Sequence, residues 1–239
     1  MCTVTYIPLE GGFCLSSNRD ESPVRADNPL VIEKLGNRQV IFPRDTKGGS
    51  WLFASDRKEV VCVLNGAHLK HRHQPPYRES RGIIARKYFN YDHPRDFIKS
   101  IELKGIEPFT MILAGTEWLY MLRWNEREKH IEILKPEKSY IWSSSTLYTP
   151  EMTELRAKWF QQYRKNHRPL SMDDIKFIHR NGSVGDPKQD YVMNRQNIVC
   201  TVSISHVHVL EDAVQFEFEN LMNKENISQS IQAGITSTR

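Results

Sequence analysis

Residues 2–21 hold the pattern that most restricts the fold. Two short apolar runs, residues 3–7 and 13–17, flank Glu10-Gly11-Gly12. Two such runs around a glycine-containing loop read as a β-hairpin. Cys2 stands at the start of the first run, and the polar cluster Asn18-Arg19-Asp20-Glu21 closes the second. A hairpin folds its ends together, so Cys2 and that cluster are expected to be neighbours. The juxtaposition has a chemical use. With Met1 removed, Cys2 carries both a thiol and a free α-amine. A neighbouring cation favours the attacking thiolate, and a neutral amine can accept the thiol proton. Arg19 supplies the cation and Asp20 orients the amine. The competing reading makes Cys2 a small apolar strand residue and the cluster a solvated turn.

The 239 residues suffice for one domain with a substantial core. A net charge of +4, from 33 basic and 29 acidic residues, is too mild and too scattered to argue for nucleic acid. The four cysteines, Cys2, Cys14, Cys62 and Cys200, show no CxxC spacing, which speaks against a zinc knuckle. Three lie in apolar strand-like runs, as reduced buried thiols do. No basic-then-apolar leader opens the sequence, and no apolar run approaches the ~18 residues of a membrane span. The expectation is a cytoplasmic protein without a membrane span.

Further along, residues 22–38 read as a loop with a short strand at 30–33, and 39–42 as another strand. Residues 50–54 and 59–64 read as a second hairpin, and Val60-Val61-Cys62-Val63-Leu64, apolar on both faces, as a central strand. Asn65 stands at its mouth, where a carboxamide stabilises an oxyanion or simply serves the turn with Gly66. His68, His71 and His73 form a tract of a kind that binds metal. No carboxylate or cysteine joins it at ligand spacing, so a mobile loop near Asn65 is expected, and no metal. Helices are expected at 80–89 with Ser80 as N-cap, from Pro94, from Pro150 with Thr149 as N-cap, and from Ser171 with Asp174 completing the cap. Met152, Leu155, Trp159 and Tyr163 form the apolar stripe of the third. Three strands over 109–134 form a meander. A long strand at 198–210 returns through 214–218. His206 and His208 share a face of the long strand and are expected at solvent. Beyond Asn220 the polar sequence reads as a mobile tail, 221–239. The whole is α+β, one domain over 1–220.

Met-Cys-Thr at the start, Asn18-Arg19-Asp20-Glu21, Gly48-Gly49-Ser50-Trp51-Leu52, Val63-Leu64-Asn65, Ser80-Arg81-Gly82 and Leu147-Tyr148-Thr149-Pro150 occur in this order. Together they resemble the NRDE family, also called the transport and Golgi organisation family. That family in turn resembles N-terminal-nucleophile hydrolases of the penicillin V acylase, bile salt hydrolase and acid ceramidase type. The resemblance implies a four-layer αββα sandwich of two antiparallel sheets and hydrolysis of linear amides. Cys2, Arg19, Asp20 and Asn65 take the catalytic places, with Asn18, Glu21, Trp51 and His68 as binding residues beside them.

Relatives carry an asparagine shortly before the Thr-Pro helix start, and in the acylases it helps form the oxyanion hole. Here Trp142-Ser143-Ser144-Ser145-Thr146 stands there, so that either Ser144 or its neighbour substitutes, or the chemistry is altered or absent. A late arginine also lines the acylase site, and Arg195 is the nearest match. Two readings follow: a Cys2 amidohydrolase, or a non-catalytic carrier of a hydrophobic anionic ligand, such as acyl-coenzyme A, lipid or haem. Either partner is a small molecule with an acyl or amide group. There is no haem attachment motif, and the sequence calls for no cofactor.

Overall fold

The computed structural model describes residues 2–26, 29–45 and 48–234. Its centre is the expected hairpin. Strands β1 (Cys2–Leu9) and β2 (Gly12–Glu21) pair antiparallel, with Cys2 opposite Arg19 and Leu9 opposite Gly12. Successive side chains alternate between faces. Val4, Tyr6, Phe13 and Leu15 enter the main core, whereas Ile7 and Cys14 join a second core under helices.

Among the described residues, the chain adds β3 (Leu30–Leu35), β4 (Arg38–Pro43), β5 (Leu52–Ser55), β6 (Val60–Asn65), β7 (Phe109–Ala114), β8 (Leu119–Trp124) and β9 (Lys129–Leu134), which form one antiparallel sheet in sequence order. The expected central strand, β6, is indeed its middle member. The other sheet runs β10 (Tyr140–Ser143), β1, β2, β12 (Val199–Val209), β13 (Ala213–Asn220) and β14 (Glu225–Gln232). The two-residue β11 (Asn194–Arg195) pairs with β12 at its side. Inner faces of the two sheets share the main core.

Helices cover the outer faces. The short α1 (Arg81–Arg86) and α2 (Pro94–Ser100) lie on the β6 side, each starting at the expected residue. The helix expected over 80–89 ends early and tightens into a 3₁₀ turn, Lys87–Asn90. Helices α3 (Pro150–Asn166) and α4 (Met172–Asn181) cover β10, β2 and β12. The Thr149 cap and the Ser171/Asp174 capping box form as expected. The architecture is therefore α+β with two facing antiparallel sheets and helices outside.

Three expectations are corrected. The stripe of α3 is rotated: Arg156 and Phe160 are its buried residues, and Leu155 is 48% exposed. His206 and His208 are buried, because α4 closes over β12. The stretch expected as a tail continues the sheet, with β14 paired along β13 from Ala213↔Gln232 to Asn220↔Glu225. Residues 235–239 lie outside the described residues.

A buried ion pair ties the helical side of the β6 sheet together. Arg38 of β4 donates through Nε to Glu59 at 2.6 Å and through Nη2 to the carbonyl of Tyr91 at 2.8 Å. Glu59 also accepts from Tyr88 and Ser55. The remaining lone pairs are satisfied, the condition under which two buried charges are tolerated.

Candidate active site

The site is built at the open end of the first hairpin. Because Cys2 and Arg19 are directly paired, their side chains leave the same face of the sheet. Cys2 is 1% exposed. Arg19 stacks on Trp51, its guanidinium carbon 4.2 Å from the ring centroid, and donates to the carbonyl of Arg25 at 2.6 Å. Trp51 is carried by the turn before β5. This turn lies against α1 because Gly82 has no side chain: a Cβ there would come within 2.6 Å of the Ser50 carbonyl. Burial pulls the Arg19 guanidinium below its ordinary value, and charges at Cys2 and Glu21 pull it back up.

Asp20, one residue on, points to the other face. Its carboxylate accepts from Thr201 Oγ1 at 2.7 Å and from the Tyr148 hydroxyl at 2.7 Å. Burial raises its pKa. The charge of Arg156 and the two hydroxyl donors oppose that rise. Glu21 ends the strand and pairs with Arg25 at 2.8 Å.

Asn18 does not join Cys2. Alternation turns it outward with Asp20, where Nδ2 donates to the carbonyls of His179 at 2.9 Å and Tyr191 at 2.6 Å. Its oxygen faces His179 Nδ1. Asn18 is thus a fastener for α4, not a ligand-binding residue beside the thiol.

Ser144 links Cys2 to Asn65 through their backbone carbonyls. The Ser144 N–H donates to the Cys2 carbonyl at 3.0 Å, and its hydroxyl donates to the Asn65 carbonyl at 2.7 Å. The expected substitute oxyanion donor is therefore already occupied. Its role is a joint that holds the end of β6 against the end of β1. Gly66, at φ +81°, is required next to it. A Cβ there would collide with the Ser145 hydroxyl.

Beside this joint opens a cleft of about 1000 Å³ between the loop after β6, the end of β8 and the turn into α3. His68, Leu69, Lys70, Arg123, Met152 and Arg195 are on its walls. His68 makes an edge contact with His130, ring centroids 5.0 Å apart. Arg195 lies over Tyr148 and donates to the carbonyls of Leu147 and Lys188, each at 3.1 Å. None of its hydrogen bonds reaches β1 or β2, so it is a cleft residue. Cys2 and Asn65 flank the cleft without lining it.

The histidine loop is anchored. His71 and His73 contact Glu107 at 3.2 and 3.0 Å, and Arg81 shares that carboxylate at 3.1 Å. An arginine in such a place disfavours a metal cation, and among the described residues no group of three side chains is placed to hold one. Arg81 was missed as a site residue although it lies in the Ser80-Arg81-Gly82 motif. It stands within electrostatic range of Glu21 and Cys2. Tyr148, in the Leu-Tyr-Thr-Pro motif, and Thr201 were missed as well.

The other thiols are disfavoured as nucleophiles. Burial pushes Cys14 up to about 12 and raises Cys62 and Cys200. A thiol held protonated attacks poorly.

Facing antiparallel sheets between helical layers, with β1 inside one sheet, make this an N-terminal-nucleophile-hydrolase-like fold. The penicillin V acylase of Agrobacterium tumefaciens is similar over 95% of this chain and 85% of its own, with TM-score 0.62 and 11% identity. A mutant of the conjugated bile acid hydrolase of Clostridium perfringens is similar over 97% of this chain and 92% of its own, with TM-score 0.60 and 8% identity. The family Transport and Golgi organisation 2 matches residues 1–225, and the chain belongs to it. No curated protein matches it in sequence. No described helix is long and apolar enough to cross a membrane.

Proposed function

We propose that the protein is an amidohydrolase whose nucleophile is Cys2, freed as the N-terminus by removal of Met1. The observation that carries this reading is the direct pairing of Cys2 with Arg19, beside a buried, hydrogen-bonded Asp20. The fold adds support: the solved structures it resembles are a penicillin V acylase and a conjugated bile acid hydrolase.

In this mechanism the Cys2 thiolate attacks the carbonyl carbon of a linear amide. The α-amine takes the thiol proton and delivers it to the leaving nitrogen, so the C–N bond breaks as an acyl thioester remains. Water, deprotonated by the same amine, then releases the acid and regenerates the thiol. Arg19 supplies positive charge near the sulfur and Asp20 holds the amine. The Asn65 carboxamide, with a backbone N–H, meets the oxyanion. The adjacent cleft receives the rest of a small molecule bearing the acyl or amide group, and its Lys70, Arg123 and Arg195 suit an anionic end.

One observation favours a second reading. In the chain that retains Met1, Cys2 is closed off from solvent and does not line the cleft, a form that suits a carrier holding an acyl ligand without cleaving it. The test has two parts. Intact mass reports whether Met1 is removed. A panel of N-acyl amides and acyl thioesters, followed by mass spectrometry, then reports an acyl adduct on Cys2. Retained Met1, or acyl binding with neither turnover nor adduct, would end the hydrolase reading.

A further inference from the structure

Helix α3 carries a fully buried arginine. Arg156 is 0% exposed, on the face where the sequence offers an apolar stripe one residue away. A buried guanidinium is costly unless a counter-charge and hydrogen bonds compensate it. Its hydrogen bond is modest: Nη2 donates to the carbonyl of Asp190 at 3.3 Å. Its Nε and Nη1 are buried without hydrogen-bond partners. Two rings sandwich it, with the guanidinium carbon 4.1 Å from the Tyr148 centroid and 4.9 Å from that of Tyr191. Such contacts compensate a desolvated cation in part.

The same Tyr148 donates its hydroxyl to Asp20 Oδ2. Asp20 is itself 0% exposed, and its other oxygen is occupied by Thr201. One ring thus separates a buried anion on β2 from a buried cation on α3. Two further positive charges act on the pair: Arg195 of β11, whose guanidinium carbon is 5.6 Å from the Tyr148 centroid, and the N-terminal amine, which also favours the charged form of Asp20. The other neighbours are uncharged. They are Tyr191 after α4, whose hydroxyl donates to the Arg156 carbonyl; His179 of α4; and Cys200 of β12. Burial and the neighbouring cation hold His179 neutral.

We infer that Arg156 is a positioning residue, the buried positive charge that keeps Asp20 ionised behind the reactive end of β1, with Tyr148 as the bridge between them. A carboxylate in that place accepts hydrogen bonds from an amine. A protonated carboxyl, having lost its charge, holds the amine much less well. The use of this device in catalysis rests on the Cys2 reading; the Arg156–Asp20 linkage does not. It also assigns a task to the Leu-Tyr-Thr-Pro motif, whose Tyr148 stands at the entry to α3 and reaches the active strand.

The experiment compares R156K, which keeps the charge, with R156M, which removes it at similar length. The Asp20 carboxyl carbon is followed by ¹³C NMR across pH. The expected result is an upward displacement of the Asp20 titration by at least about one pH unit in R156M, a tenfold change in proton affinity, with R156K close to the parent. A merely structural arginine would lower the melting temperature of R156M and leave the Asp20 titration where it was, and that result overturns the inference. If R156M does not fold, the double variant R156M/D20N decides. Recovery of the fold supports the linkage, since both buried charges are then gone, and equal failure overturns it. Acylation of Cys2 in the folded variants separates the two readings. An Asp20 titration that moves while Cys2 is never acylated, even in the parent protein, refutes the hydrolase and leaves the linkage standing.

Discussion

Acid should weaken the fold through its buried imidazoles, and the size of the effect follows from where they sit. His206 is 7% exposed on β12, bonded through Nδ1 to the Ser16 hydroxyl at 2.7 Å. Burial, with the charges of His208 and Lys176, pulls its pKa from 6.5 to about 3. His179, packed edge-on against it at 5.6 Å, is displaced in the same direction by burial and by His206 and Arg156. Above pH 6.5 both states of His206 are neutral, so it contributes no slope. Between 6.5 and about 3 the unfolded chain binds a proton that the folded one refuses, and stability falls with falling pH. At about pH 4.5, roughly two units below the unfolded value, His206 alone should remove about 2.7 kcal/mol, at ~1.36 kcal/mol per unit. His179 adds to the loss. Asp20 acts oppositely: its raised folded pKa makes the native state take up a proton more readily than the unfolded chain as pH falls, which offsets part of the decline.

The measurement is urea unfolding followed by tryptophan fluorescence from pH 7 to pH 4. His206→Asn, which keeps a polar partner for Ser16 and cannot titrate, should reduce the pH slope over this range by up to one proton's worth. Its stability at pH 7 is set separately by packing and does not enter the comparison. If the variant shows the same pH slope as the parent, His206 is not refusing a proton in the folded state and the reasoning fails.

Three further outcomes follow from the same geometry. In a hydrolase, Cys2→Ala should abolish turnover and adduct formation while calorimetric binding of an acyl ligand changes little, because the thiol acts mainly in the transition state. Replacing Arg38 by Met should cost about 3–5 kcal/mol by leaving Glu59 buried and uncompensated; chemical denaturation measures it, and the double replacement R38M/E59L should cost less than the single. Gly66→Ala should destabilise by about 1 kcal/mol or more, since it strains a positive φ and collides at the Ser145 hydroxyl. Thermal unfolding reads the loss, and amide exchange at Ser144 reports whether its bond to Cys2 loosens.

How much of this was legible depends on which force fixed each element. The first hairpin could be read because alternation and a glycine turn together fix a register, and register brings Cys2 to Arg19. The same rule limits the four-residue cluster after it: neighbours on a strand face opposite ways, so Arg19 meets Cys2 while Asn18 and Asp20 must turn to the helices. The second apolar run ends at residue 17, whereas β2 continues through Glu21 and so splits the cluster between two faces. The edge strand β14 hid because one of its faces meets water. Only Ile227 and Ile231 mark the other, too few to separate it from a polar tail by composition.

The rotation of α3 has a different cause and says more about the site. Periodicity assigns the inward face by apolar content, and by that measure Met152, Leu155, Trp159 and Tyr163 outrank a face containing Arg156. What the measure omits is the buried carboxylate across the layer. Asp20 is fixed in place by strand alternation, and once buried it favours a cation nearby. Turning Arg156 inward places that cation beside Tyr148 and moves Leu155 to 48% exposure. An exposed leucine on a helix whose buried face holds an arginine is a local conflict that a sequence optimised only for packing would not keep. Such conflicts are expected where function sets the choice, and this one points along Tyr148 to Asp20, the neighbour of the residue paired with Cys2.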